Sequence, residues 1–260
     1  MAINPLDDIR SKVGRADKHI HDFKLAAIRF METSPYEIVA ETDLDARKRI
    51  YTVTIVTPIP PQIRLIAGDA VQNLRSALDY LACTLVRITG TEPSKQVCFP
   101  ITESEPLTQE QLAAFARNVK GMRQGAVDAI QRIKPYKGGD DALWRLYRLN
   151  IIDKHRLLTA AGACISTVNP HFHKGLRDYL FAGGIIPQPA TVLRSRFPLK
   201  AGDKFSFDLA KLDMNEDEKF LLEVAFNEPG VSEGEPILTV LHESRRRVQQ
   251  VVSELLPFLY

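Results

Sequence analysis

The sequence predicts an α+β fold in which a helical bundle is packed on an antiparallel β-sheet. Apolar residues recur at helical spacing in several long segments, whereas other segments rich in Val, Ile, Thr and Tyr alternate as strands do. The helical and strand-like segments are grouped along the chain, and such grouping is typical of α+β folds. We therefore expect a single α+β domain over residues 1–260, with a helical core at approximately 62–156 and a sheet built from 34–57 and 157–226.

The strongest helical pattern lies between residues 62 and 88. Its apolar residues form one stripe at Ile63, Ala67, Ala70, Leu74, Ala77, Leu81, Leu85 and Ile88. Residues 5–31 and 236–259 carry similar patterns, which predict an N-terminal and a C-terminal helix. Thr108 and Gln111 have the spacing of a capping box, so we expect another helix to begin there.

The strand pattern is clearest in RIYTVTIVT, residues 49–57. Together with residues 36–41 and the turn residues between them, this segment predicts an antiparallel hairpin. Further strands are predicted at 157–168, 205–209 and 220–226. Residues 169–203 are rich in Gly and Pro and predict an irregular stretch.

Composition and charge exclude several classes of protein. Lys and Arg number 34 against 32 Asp and Glu, a net charge of +2, which does not indicate the strongly basic surface of a typical nucleic-acid-binding domain. The three cysteines are far apart in the chain, which indicates neither a disulfide framework nor a zinc knuckle. The sequence shows no signal peptide and no apolar run of the roughly 20 residues that a membrane helix needs. We expect a cytoplasmic protein that does not bind a membrane.

The segment from Ala142 to about Arg156 predicts a helix that Asp140 or Asp141 caps. Its apolar residues cover nearly the whole circumference, and such a helix is usually buried. Asn150 and Lys154 nevertheless fall within the apolar stripe that Leu143, Tyr147, Ile151 and Leu158 form. Buried amide and ammonium groups need polar partners, so we expect other polar groups to meet them.

Two residues of this helix suggest catalysis. Arg148 and His155 are seven positions apart, so they lie on one face. An arginine that binds phosphate beside a histidine that titrates near neutral pH suits phosphodiester chemistry. Asp153, Lys154 and Arg156 complete a polar cluster around His155. The alternative is structural: Arg148 would pair with an acidic neighbour, and His155 would favour the helix C-terminus through its charge.

A second polar group lies along the helix at 62–88. Asp69 and Asn73 begin a strip that continues with Ser76 and Tyr80. One interpretation is a strip at the helix boundary that forms hydrogen bonds with a neighbouring element. The other is that Asp69 and Asn73 face the Asn150–His155 segment, where Asp69 would neutralise Lys154 or orient His155. Arg75 and Asp79 are predicted to form an exposed pair on the outer face.

Two segments carry a resemblance to known proteins. AGDAVQNLRSALDYLA (67–82) and LNIIDKHRLL (149–158) resemble a pair of segments found in bacterial proteins of unknown function. The spacing of Arg148 and His155 also resembles the motif of HEPN domains, although Leu149 stands where that motif usually has Asn, Asp or His. This second resemblance implies a helical bundle, often a homodimer, and metal-independent ribonuclease activity with Arg148 and His155 as catalytic residues.

Three functions remain open at this point. The first is a binding or assembly module in which the polar cluster is a network between helices. The second is a HEPN-like ribonuclease of toxin or defence type, which would act on RNA. The third is a small-molecule site near Asn150–Arg156, lined with Trp144 and Tyr80, for an anionic or aromatic ligand. The sequence predicts no metal and no cofactor, and it does not decide whether the protein is an enzyme.

Overall fold

The computed structural model describes residues 6–167, 192–209 and 220–260. Six α-helices and two antiparallel sheets lie in these ranges, which confirms the α+β class. The helices are α1 (Asp7–Glu32), α2 (Pro61–Arg87), α3 (Gln109–Asn118), α4 (Gln124–Ile133), α5 (Asp141–His155) and α6 (Ile237–Leu255). A 3₁₀ turn, Leu256–Phe258, follows α6.

The predicted hairpin is confirmed. Strands β1 (Tyr36–Asp43) and β2 (Lys48–Val56) are antiparallel, with Asp43 opposite Lys48 at the turn. A third strand, β5 (Lys204–Asp208), pairs with β2 and completes a three-stranded sheet in the order β1-β2-β5. Tyr51 and Phe207 are buried in this sheet and form an edge-to-face contact with ring centroids 5.9 Å apart.

The remaining strands form a second sheet. It contains β3 (Ala160–Thr167), β4 (Val192–Arg196), β6 (Phe220–Glu228) and β7 (Ser232–Pro236) in the order β4-β3-β6-β7. Every pairing in it is antiparallel. At the end of this sheet where β3 begins and β6 stops, the buried carboxylate of Glu228 accepts hydrogen bonds from the backbone N–H and the hydroxyl of Thr159, at 2.7 and 2.9 Å.

Two details of the predicted sheet are wrong. The described residues form two sheets rather than one, because β2 pairs with β5 while β3 pairs with β6. Two short strands were also missed. The first, β4, lies in the stretch predicted to be irregular, 169–203, of which residues 169–191 lie outside the described residues, as does the last residue of the strand predicted at 157–168. The second, β7, has the sequence SEGEP, whose Gly and Pro indicate a turn; its pairing with β6 makes it a strand.

The described chain divides into two compact units. The first is Met1–His21, Ile66–Leu157 and Leu241–Tyr260, and the second is Asp22–Leu65 and Leu158–Val240. The second unit contains both sheets, while the first contains α3, α4 and α5 entire. The expectation of a single domain over residues 1–260 stays a prediction, because a division into compact units does not test it.

Helix α2 supplies the core of the first unit. Most of its apolar stripe is buried, and Ala67, Leu74, Ala77, Leu81 and Leu85 have no exposed surface. Burying a leucine contributes about 1.5–3 kcal/mol, so this stripe is a large part of the unit's stability. Within the described residues, none of the helices is long and apolar enough to cross a membrane.

Helix α5 lies antiparallel to α2. Near one end Asp153 contacts Gly68, and further along Arg75 lies over the ring of Tyr147 at 5.7 Å. Later residues of α2 thus contact earlier residues of α5, so the two helices run in opposite directions. A Cβ atom at position 68 would lie 2.3 Å from the Asp153 carboxylate, so this close approach requires glycine.

Candidate functional site

The start of α5 is fixed by Asp140. One carboxylate oxygen of this residue accepts a hydrogen bond from the backbone N–H of Leu143 at 3.0 Å, which makes it the N-cap, as predicted. The other oxygen pairs with Arg247 of α6. Since the Asp140 side chain is only 10% exposed, this ion pair anchors the helix that carries most of the predicted site residues.

Arg148 is held by an acidic side chain. Its guanidinium lies 2.6 Å from one carboxylate oxygen of Glu103, and the indole N–H of Trp144 donates to the other oxygen at 3.0 Å. The ammonium group of Lys137 lies 4.6 Å from the Trp144 ring centre. A carboxylate on an irregular segment is therefore bound by two side chains one turn apart on α5, and we call this arrangement the Glu103 clamp.

Three further residues of the predicted cluster lie at the exposed C-terminal end of α5. Lys154, His155 and Arg156 are all exposed, and Arg156 is the C-cap residue. Arg148 and His155 share a helix face, but seven residues of α-helix separate them by about 10 Å along the axis. The structure thus places the histidine in solvent and the arginine in an ion pair.

Asp69 of α2 lies close enough to Asp153 of α5 for their carboxylates to interact electrostatically. Burial, and next the negative charge of Asp69, raise the pKa of the Asp153 carboxyl above its usual value. Asp69 itself is largely exposed and lies 4.0 Å from Nδ1 of His19 on α1. Arg15 donates a hydrogen bond to Nε2 of the same histidine at 3.2 Å, so the His19 ring lies between Arg15 and Asp69.

The rest of the predicted network is satisfied locally or buried. The Asn73 side chain donates to the backbone carbonyl of Asp69 at 2.8 Å, and Ser76 bonds the carbonyl of Gln72 in the same way. Asn150 is 2% exposed, and its side-chain oxygen has no hydrogen-bond partner among the described residues. An unsatisfied buried amide oxygen costs about 1–3 kcal/mol.

Arg75 and Asp79 form the predicted ion pair, but its exposed position on the outer face was predicted wrongly, because Arg75 is buried and Asp79 is half-buried. Arg75 is 6% exposed, and its guanidinium donates to the backbone carbonyl of Phe99 at 2.8 Å. Asp79 accepts from the backbone N–H of Phe99 at 3.0 Å and lies 2.8 Å from Arg75. We call this arrangement the Phe99 clamp. The sequence carried a signal for it, because Arg75 shares a helix face with the buried Val71 and Leu78.

A cleft opens beside the segment that the two clamps hold. It has a volume of about 200 Å³ and lies entirely in the first unit. Its apolar residues are Pro100, Pro106, Leu112, Phe115, Pro135 and Tyr136. Thr102, Glu105, Gln131 and Lys134 supply its polar groups. We call it the proline cleft.

The wall of the proline cleft is an irregular segment with fixed backbone. Residues 88–108 join α2 to α3, and loops longer than about 12–15 residues are usually functional or disordered. The Phe99 clamp and the Glu103 clamp hold this loop on the two sides of Pro100–Thr102. The N–H of Thr102 also donates to the carbonyl of Pro135 at 3.0 Å, which ties the wall to the loop after α4.

No residue of the predicted site lines the proline cleft. Arg148 binds Glu103, which follows the lining residue Thr102 in the chain, and the other predicted residues lie elsewhere on α2 and α5 or at the C-cap of α5. The prediction missed the cleft because its walls come from three separate segments whose proximity no local pattern reveals.

The described residues offer no obvious metal site. They contain no group of three His, Cys, Asp or Glu side chains close enough to hold an ion. Cys83 and Cys98 are free thiols, and burial raises the pKa of both. Raised pKa values keep thiols protonated at neutral pH, so neither cysteine has the character of a nucleophile.

No protein-family model, curated protein or solved structure matches this chain.

Proposed function

We propose that this protein is a binding module and that the proline cleft is its ligand site. The observation that carries the proposal is the pair of clamps on the cleft wall. A buried arginine on α2 and an ion-paired arginine on α5 hold Phe99 and Glu103, the residues that flank Pro100–Thr102. Polar groups of two helices thus stabilise an irregular segment that has little secondary structure of its own.

Rigid walls favour binding. A preformed cleft loses little conformational entropy when a ligand enters, so even a small ligand can be held. The three prolines add to this rigidity, since each has a fixed φ angle. In this proposal the conspicuous polar residues of α2 and α5 act as supports for the site and do not contact the ligand.

The test is binding of one-ring aromatic probes, followed by backbone NMR shifts. For 2-phenylethanol we expect a Kd on the order of 1 mM, with shifts at Thr102, Phe115 and Tyr136. Gln131→Trp places an indole at the cleft rim and should abolish the shifts. Its matched control is Arg132→Trp, at the next exposed position of α4, which does not line the cleft. Equal binding by both variants would contradict the proposal.

A metal-independent ribonuclease is a second candidate function. It is favoured by one observation: α5 carries Arg148 and the exposed His155 on one face at the motif spacing. Glu103 neutralises the arginine, so this function requires that the guanidinium leave its partner to stabilise phosphate charge.

Cleavage of total RNA in EDTA distinguishes the two functions. If the protein is a ribonuclease, His155→Ala loses cleavage and Glu103→Gln, which frees Arg148, increases it. An RNA that stays intact with both the wild type and Glu103→Gln removes the second candidate.

A further inference from the structure

The size of the proline cleft limits what it can hold. An engineered apolar cavity of about 150 Å³ accommodates benzene, so a volume of about 200 Å³ fits one aromatic ring with a short chain. Phe115 and Pro135 are buried and form the floor, whereas Leu112 is 49% exposed and belongs to the rim. An apolar floor with an open rim suits a ligand whose ring enters and whose polar end stays near water.

The rim carries a carboxylate that is already oriented. The hydroxyl of Tyr136 donates a hydrogen bond to Glu105, and both residues line the cleft. Loss of hydration, the charge of Glu105 and this hydrogen bond together raise the pKa of Tyr136. The Glu105 carboxylate therefore lies at the wall of the cleft, beside the hydroxyl group of an aromatic side chain. A carboxylate at the rim of an apolar cleft is a favourable environment for a ligand cation.

Helix α4 adds to the same field. It ends at Ile133 with Lys134 as its C-cap, and Gln131, Lys134 and Pro135 all line the cleft. The C-terminal end of a helix carries a partial negative charge, which favours cations within about one turn. Lys134 is the one basic residue that lines the cleft, and its positive charge would instead favour an anionic ligand.

We propose that the proline cleft selects an arylalkylammonium ion, a ligand with one aromatic ring and a short chain that ends in a protonated amine. The ring occupies the floor formed by Phe115 and the prolines, and the ammonium group pairs with Glu105 at the rim. This inference rests on the proposed function, because it names the ligand class of the same cleft.

The experiment compares three probes that share a ring and differ in charge. These are 2-phenylethylammonium, the neutral 2-phenylethanol and 3-phenylpropionate, titrated into the full chain at pH 7 with backbone NMR shifts as the readout. We expect the ammonium ion to bind about fivefold more tightly than the alcohol, the range of a partly exposed ion pair. The carboxylate should bind more weakly than the alcohol.

Two variants locate the source of this preference. Glu105→Gln should lose most of the preference for the ammonium ion over the alcohol, since it keeps the shape of the side chain and removes its charge. Glu110→Gln, at an exposed position of α3 outside the cleft, should retain the preference.

Each outcome has a distinct meaning. An ammonium preference that Glu105→Gln removes supports the inference. Equal binding of all three probes, tighter binding of the carboxylate, or a preference that survives Glu105→Gln overturns the inference but leaves the cleft as a ligand site. If none of the probes shifts the cleft residues, the proposed function fails as well.

Discussion

Arg75 on α2 and Arg148 on α5 both hold the loop between α2 and α3, but in different environments. Arg75 is buried and binds backbone, with its guanidinium on the carbonyl of Phe99. Arg148 is about one third exposed and binds the side chain of Glu103, which is itself 55% exposed. The first contact replaces water with protein on nearly every side, whereas the second competes with solvent.

The difference teaches that a suggestive sequence pattern around a residue says little about how much that residue contributes to the stability of the fold. The sequence draws attention to Arg148, because a histidine follows it at a suggestive spacing. Yet removing a buried charge from its partners costs more than removing an exposed one, since the abandoned partners cannot turn to water. The inconspicuous Arg75 should therefore matter more for stability.

The largest effect is expected from Arg75→Ala. The substitution leaves the Phe99 carbonyl and the partly buried Asp79 without their partner, which should lower the free energy of unfolding by about 3 kcal/mol. Urea denaturation followed by circular dichroism measures it. Arg132→Ala, an exposed arginine on α4, is the control and should stay within about 0.5 kcal/mol of the wild type. Similar losses in the two variants would mean that the Phe99 clamp does not stabilise the fold.

A smaller effect is expected from Glu103→Ala. It removes the acceptor of the Trp144 indole N–H and the partner of Arg148, so the free energy of unfolding should fall by about 1 kcal/mol. Glu103→Gln keeps an acceptor for the indole and should lose about half as much. If Glu103→Ala costs as much as Arg75→Ala, the contrast between a buried and an exposed clamp is wrong.

The smallest effect, of opposite sign, is expected from Asp153→Asn. Burial and Asp69 raise the pKa of this carboxyl in the native protein above its usual 3.8. The native state therefore holds the proton more tightly than the unfolded state, and the wild type loses stability as pH rises through the usual and then the native pKa. At pH 7 the neutral amide should raise the urea midpoint.

The pH dependence separates this effect from a change in packing. Below the usual pKa both forms are neutral, so the gain of Asp153→Asn should disappear in acid. A gain that is the same at pH 3 and pH 7 would show that the charge of Asp153 is not its cause. Asp128→Asn, on α4, where the carboxylate accepts a hydrogen bond from Gln124 at 2.7 Å, is the control and should show no such gain.

The helices could be predicted well because their signals are local. The stripe of α2, the capping box at Thr108 and Gln111 and the N-cap at Asp140 all appear in the structure at the predicted positions. Each of these signals depends on residues within a few positions of one another, so it can be recognised in the sequence alone. The hairpin of β1 and β2 was predictable for the same reason.

The sheets were predicted less well because pairing depends on distant partners. Nothing in SEGEP indicates a strand until β6 lies beside it, and nothing in the β2 sequence indicates that its second neighbour is β5, about 150 positions later. The candidate site shows the same limit. The polar residues of α5 were identified, but their partners, above all Glu103, come from another part of the chain.

By itself, then, the sequence determined the helices, the hairpin and the α+β class, because spacing along the chain specifies hydrogen bonding and amphipathic faces. The tertiary structure decided the rest. It buried Arg75 against Phe99, paired Arg148 with Glu103, brought Asp69 to Asp153 and assembled a cleft from the loop after α2, α3 and the end of α4. These features depend on which surfaces meet, and that is set by packing among segments far apart in the sequence.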